Sequence, residues 1–100
     1  MNLVITNNNE NVIITGDSFI LEKWNGKTWK KEKALTNRIF TSIGYRINPG
    51  ENKILETNIY GYYPDLEKGI YKISKSYFYE KDIPVTKDEE HWISHDFKIE

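Results

Sequence analysis

Residues 66–73, LEKGIYKI, constrain this chain more than any other stretch. They place a leucine, a turn bearing glycine, and then a tyrosine at the head of an alternating strand. That order is the pattern of a tyrosine corner. In it, the tyrosine opens a strand near the end of an antiparallel β-sandwich, and its hydroxyl bonds back to the chain a few residues upstream. Tyr71 is the expected corner residue and Leu66 the plug beneath it. Gly69 is the position that lets the chain turn with positive φ. The motif specifies a fold and carries no chemistry.

The rest of the chain reads as short strands separated by turns. Leu3, Val4 and Ile5 run into the asparagine-rich turn 7–11, where asparagine tolerates the left-handed region and bonds its own backbone. Residues 12–14 resume a strand, Gly16-Asp17-Ser18 interrupts it, and 19–24 form the next. Asn25-Gly26 is the strongest hairpin signal. A two-residue loop there puts Trp29 on the face of Glu22, whereas a three-residue loop with a bulge moves it to the face of Phe19 and Leu21. The second register is expected, because it buries Trp29 among apolar partners. Residues 32–37 are a polar connection, and 39–47 are a strand with Ile39, Thr41, Ile43, Tyr45 and Ile47 on one face. A turn over 48–51 follows, with proline and glycine placed for the type II form. Leu55, Thr57 and Ile59 make a further strand, and 60–64 an aromatic loop. Beyond the corner, Tyr71, Ile73, Lys75 and Tyr77 alternate. Residues 80–90 are a long charged loop, and His95, Phe97 and Ile99 belong to a closing strand.

Seven or eight short strands without a helical period predict an all-β, immunoglobulin-like sandwich of about seven antiparallel strands. One hundred residues correspond to one domain, 1–100, with a modest core. A net charge of −1 excludes the broad basic field of non-specific nucleic-acid binding. Cysteine is absent, so there is no disulfide and no thiolate nucleophile. No apolar run approaches the roughly 20 residues of a membrane span. MNLVIT opens inside a strand with no signal peptide, which suits either a cytoplasmic chain or one whose Met1 replaces a removed leader.

Catalytic chemistry has little to stand on. Ser18, Ser42, Ser74, Ser76 and Ser94 sit in no nucleophile elbow, and no phosphate-cradling glycine motif occurs. The chain reads as no enzyme, with no cofactor. His91 and His95, near Asp88, Glu89, Glu90 and Asp96, are the only cluster with metal-ligand residue types. On a strand the two histidines are about 13 Å apart, too far to share one ion, whereas on one helical turn they would meet; a solvated loop running into the last strand is the favoured reading, so no metal is expected. Tyr60, Tyr62, Tyr63 and Trp92 are the candidate binding residues, because tyrosine and tryptophan give rigid amphipathic contact area for protein or carbohydrate. The competing reading has them plugging the ends of the sandwich. Lys23, Lys27, Lys30, Lys31 and Lys33 make the first hairpin basic. Such a run is a solvated face guarding a sheet edge, or an attractor for an acidic wall polymer, a membrane surface or an acidic partner.

The segments LVITNNN, FILEKWNGKTWKK, IGYRINPGE and LEKGIYKISKSY, spanning roughly residues 3–79, resemble bacterial Ig-like domains of small Gram-positive envelope proteins and lipoproteins. The resemblance implies a seven-stranded sandwich, an extracellular or cell-envelope setting, and a protein or cell-wall partner. It implies no catalytic residue. Similar domains carry a strand ahead of the one at Leu3. Its absence here points either to trimming or to an open sheet edge suited to weak self-association. The asparagine-flanked first strand and the L-x-x-G-x-Y corner also resemble Ig-like intracellular proteinase inhibitors of bacilli. That likeness implies an inhibitor inside the cell, working through exposed loops such as 80–90.

Overall fold

The computed structural model describes residues 1–33, 44–84 and 90–100. Its strands are β1 (Asn2–Thr6), β2 (Ile13–Gly16), β3 (Ile20–Trp24), β4 (Trp29–Lys31), β5 (Gly44–Ile47), β6 (Asn52–Glu56), β7 (Gly69–Tyr79) and β8 (His91–Ile99). The eleven residues of β7 form the spine. Along one side, β8 pairs with it from Gly69↔Ile99 to Tyr77↔His91. The other side is shared by two strands laid end to end. β3 covers Tyr71 to Ser74, and β2 covers Tyr77 to Tyr79. β4 extends the sheet beyond β3, and β5 extends it beyond β2. β1 and β6 form a separate two-stranded antiparallel sheet. The two sheets enclose the core, giving the antiparallel Ig-like sandwich expected from the strand pattern.

Alternation along the strands decides what lies between the sheets. Tyr71, Ile73 and Lys75 of β7 all point inward and are buried. Tyr71 and Ile73 join Phe19, Leu21, Ile59 and Tyr63 in one apolar cluster, against which Leu3, Leu66 and Phe97 pack. Ile5, Ile13, Ile47 and Leu55 form a second cluster, flanked by Tyr45, Tyr77, Tyr79 and Ile93. The corner forms as anticipated. The Tyr71 hydroxyl donates to the Glu67 carbonyl at 2.6 Å. Leu66 is half-buried beneath it. Gly69 has φ +153°, and a Cβ there would lie 2.9 Å from Lys23 Cε.

Both anticipated turns at the opposite end of the core, beside the second cluster, also form. Glu51 N–H donates to the Asn48 carbonyl at 3.0 Å, and Gly50 takes φ +77°. In the asparagine-rich turn, Asn7 is fully buried and works as a clamp. Its amide donates to the carbonyls of Asn11 at 2.8 Å and Ile47 at 2.9 Å, while its Oδ1 accepts from Asn9 N–H at 2.9 Å. Nearby, Arg46 of β5 pairs with Glu80, the Nη2–Oε1 bond being 3.0 Å, and so ties β5 to the turn that follows β7.

Three expectations need correction. The hairpin loop is neither two nor three residues long. Trp24 pairs directly with Trp29 across a four-residue turn, Asn25–Thr28. Asn25 Oδ1 accepts from both Lys27 N–H and Thr28 N–H at 2.9 Å, and that fixes the longer loop. Trp29 therefore shares the face of Glu22, half-buried on the outside of the sheet, not that of Phe19 and Leu21. The strand expected through Ile59 ends at Glu56, and Ile59 opens a single helical turn, α1 (Ile59–Tyr62). This also replaces the first part of the loop expected over 60–64. Asn58 caps the turn by accepting from Gly61 N–H at 3.1 Å, a local bond that competes with strand geometry. Ile59 nevertheless stays buried, continuing the alternation of Leu55 and Thr57. The last strand begins at His91, earlier than its apolar alternation showed, because β7 offers a full-length edge to pair with. Of the strand expected over 39–47, residues 44–47 form β5. Residues 39–43, like 34–37 of the polar connection and 85–89 of the charged loop, lie outside the described residues.

Replacing Tyr71 with Phe should cost about 1 kcal/mol, the net worth of one hydrogen bond. Asn7→Ala should cost about 3 kcal/mol, because it leaves buried backbone groups without partners. Urea denaturation reads both. An unchanged midpoint for Tyr71→Phe would remove the corner bond as a stabilising element.

Candidate functional site

The outer face of the six-stranded sheet collects all three tryptophans. Leu21 of β3 is buried inward, so Trp24 points outward, and Trp29 stands opposite it on β4. Their ring centroids lie 5.4 Å apart at an interplanar angle of 57°. Lys72 of β7, on the same face, places Nζ 4.3 Å from the Trp29 ring centroid, a cation–π contact. Ile70, two residues earlier on β7, is 45% exposed beside this group. Trp92 lies at the far end of the face. It is opposite Ser76 and one residue from the inward-facing Ile93, and is 52% exposed. Ser74 lies between, with Ser94 on one side of it and Ile20 on the other, and aromatic groups stand at the two ends of the face.

The sequence-derived candidates separate into two groups. Tyr63 is buried and Tyr62 half-buried, packed on Phe19 at centroid distances of 5.8 and 5.7 Å. Tyr60 is 59% exposed and lines a depression of about 620 Å3 with Met1, Ile59 and Phe97. Since Phe97 and Ile59 belong to the core side, Tyr60 and Trp92 stand on different surfaces. Leu66, Gly69 and Tyr71 build the corner, and Trp29 belongs to the outer face. Trp24, Ile70 and Lys72 were missed by sequence reasoning. The hairpin register is the signal that would have found them, since with Trp24 opposite Trp29 the parity of β7 puts Ile70 and Lys72 beside them. His91 stacks on Tyr77 at 5.3 Å and meets Tyr79 edge-on at 5.1 Å. Among the described residues no group of three His, Asp or Glu is placed to hold a metal ion. Asp88 and Glu89 lie outside them.

Besides the Asn7 clamp, the described interior holds a polar knot around Lys75. Lys75 is only 3% exposed and sits where the inner face of β7 passes from one apolar cluster to the other. It lies opposite the gap between β2 and β3, where ladder partners are missing. Side chains fill that gap. Lys75 Nζ donates to the Ser18 carbonyl at 3.1 Å, and Thr15 Oγ1 donates to the Ser76 carbonyl at 2.8 Å. The Tyr45 hydroxyl donates to Asp17 Oδ1 at 2.7 Å, holding the carboxylate at the same place. This geometry seals a strand break. It presents neither a nucleophile beside a base nor a cluster of oxyanion donors.

Burial pushes the Lys75 amine below its ordinary 10.5, with the Asp17 charge opposing. The folded protein thus holds this proton less tightly than the unfolded chain does. Stability therefore rises with pH from the lowered folded value up to 10.5. Tyr45, bonded to Asp17, and Tyr63 and Tyr77, desolvated by burial, are raised above 10.0, so stability falls again once unfolded phenols ionise. Denaturation midpoints should climb as pH approaches 10.0 from below in the wild type. In Lys75→Met that climb should be lost, and an equal climb in the variant would contradict this role.

Among the described residues no helix is long and apolar enough to cross a membrane. No curated protein and no solved structure matches the chain. Residues 1–98 match the bacterial Ig-like domain family. With the corner, the two antiparallel sheets and a match over nearly its whole length, the chain belongs to the bacterial Ig-like domain family.

Proposed function

We propose that this domain is a non-enzymatic interaction module of the bacterial cell envelope, binding a protein or cell-wall partner through the outer face of its six-stranded sheet. The observation that carries this reading is the position of the tryptophans. A chain with a small core keeps all three on the outer face, outside both buried apolar clusters. Exposed aromatic anchors on a rigid sheet are what binding surfaces use. The interior supports the non-enzymatic part, since its buried lysine is engaged in closing the strand break. Tyr60 is a second exposed aromatic, on a different surface. Weak self-association through the free edge of β1, which pairs only with β6 among the described residues, belongs to the same proposal. The inhibitor reading rests on the loop 80–90, of which 85–89 lie outside the described residues, and no described contact favours it.

Purified domain should co-sediment with isolated envelope fractions. The double variant Trp24→Ala/Trp92→Ala should lose about tenfold or more of that binding while keeping its β-sheet circular dichroism. Wild-type protein that stays wholly in the supernatant, or a variant that binds equally well, would overturn the proposal.

A further inference from the structure

Strand register sets a row of charges across the outer face of the six-stranded sheet. Lys31 of β4 lies opposite Glu22 of β3, Glu22 opposite Lys72 of β7, and Lys72 opposite Asp96 of β8. The signs alternate across neighbouring strands. Among the described residues these side chains make no ion pair with one another. The next row toward the hairpin turn, on the same face, is Trp29, Trp24, Ile70 and Lys98. The row on the other side holds Ile20, Ser74 and Ser94 and carries no charge. Lys23 and Lys30 belong to the opposite face of the hairpin. There they oppose each other, and Lys23 meets Glu67 and the Tyr71 ring, so they take no part in this surface.

We propose that this end of the outer face docks a second copy of the chain, the two sheets packing face to face about a twofold axis that runs along the strands between β3 and β7. Charge complementarity selects both the occupant and the axis. A half-turn about that line sets β4 over β8 of the other copy and β3 over its β7. Lys31 then meets Asp96, Glu22 meets Lys72, Trp24 meets Ile70 and Trp29 meets Lys98, and symmetry makes each pair twice. A half-turn about a line across the strands would instead stack Glu22 on Glu22 and Lys72 on Lys72, which repel. In the single chain Lys72 Nζ rests on the Trp29 ring. In the pair, Lys98 of the other copy takes that ring and frees Lys72 for Glu22, one cation–π contact replacing another. Four strands span only about 20 Å. The patch therefore falls below the roughly 800 Å2 per partner of a standard interface, and the pairing is weak. This inference goes beyond the envelope role and shares with it only the reading of the outer face as a binding surface. Trp92 lies outside the paired rows, so a dimer leaves it exposed on both copies.

Sedimentation equilibrium of the purified domain tests this, over about 10 µM to 1 mM because the patch is small. The wild type should pass from monomer toward dimer across that range. Its affinity should fall about fivefold or more between roughly 50 and 500 mM NaCl. Glu22→Lys and Lys72→Glu should each weaken association about tenfold or more, because each sets like charges face to face. An equimolar mixture of the two variants should dimerise again. The new lysine of one then meets the new glutamate of the other, while the first variant's Lys72 meets the second's Glu22. Recovery in the mixture also shows that both variants fold. Mixing Glu22→Lys with Lys68→Glu, which carries the same net charge as Lys72→Glu but lies off the row, should not recover the wild-type affinity. Val4→Lys, on the separate β1–β6 sheet, should leave the dimer unchanged. A wild type that stays monomeric throughout, a Glu22→Lys and Lys72→Glu mixture that stays monomeric, or association weakened as much by Val4→Lys as by Glu22→Lys would each overturn the proposal. If a strictly monomeric domain still co-sediments with envelope fractions, the dimer is wrong while the envelope role stands. If the domain dimerises as described but binds no envelope fraction, the dimer stands and the envelope role falls.

Discussion

The fold depends on the hydrogen-bond ladder of β7, which is engaged on both sides. One edge is covered along its length by β8. The other is covered by two strands that together leave a gap. A strand interrupted by Gly16-Asp17-Ser18 cannot keep its ladder, and unpaired backbone groups inside a sandwich are expensive. The chain answers with side chains. Thr15 reaches the Ser76 carbonyl, and Lys75 crosses the gap to the Ser18 carbonyl. A buried ammonium is tolerated there because a carbonyl accepts from it and Asp17 lies near. The two apolar clusters then pack on either side of this seam.

That arrangement separates the molecule's two kinds of work. Inward positions of β7 hold the corner, the clusters and the seam. Outward positions hold residues that the core does not use: Ile70, Lys72 and the serines, with tryptophans at both ends of the face. The hairpin turn couples the two, because its four-residue length places Trp29 outside with Trp24 and sets the lysines against each other. A hairpin one residue shorter would have moved Trp29 to the other face and dissolved both features.

Much of the fold was legible in the sequence because it is written in local chemistry. The corner needs a leucine, a glycine and a tyrosine at fixed spacing, and all three are there. The turn over 48–51 shows itself through proline and glycine, and the alternation of β7 through Tyr71, Ile73, Lys75 and Tyr77. Trp29 was misplaced because loop length depends on whether the Asn25 side chain bonds two backbone amides or one, and Asn-Gly permits either. Ile59 was placed in a strand because its burial follows period two, although Asn58 and Gly61 favour a helical turn. The alternation puts Lys75 on the face of Tyr71 and Ile73, but the sequence does not show what meets a buried amine there. Its burial follows from the gap opposite it, which is a property of strand pairing. The outer-face site was half visible. Trp92 was singled out, while Trp24 and Lys72 became apparent only with the correct register.

Native-state hydrogen exchange, resolved by residue, tests the central role of β7 most directly. Amides of β7 paired to β3, β2 and β8 should exchange slowest, opening only with global unfolding, while those of the two-stranded β1–β6 sheet open earlier. If β7 amides exchange no more slowly than those of β1 and β6, β7 is not the strand on which the sandwich depends.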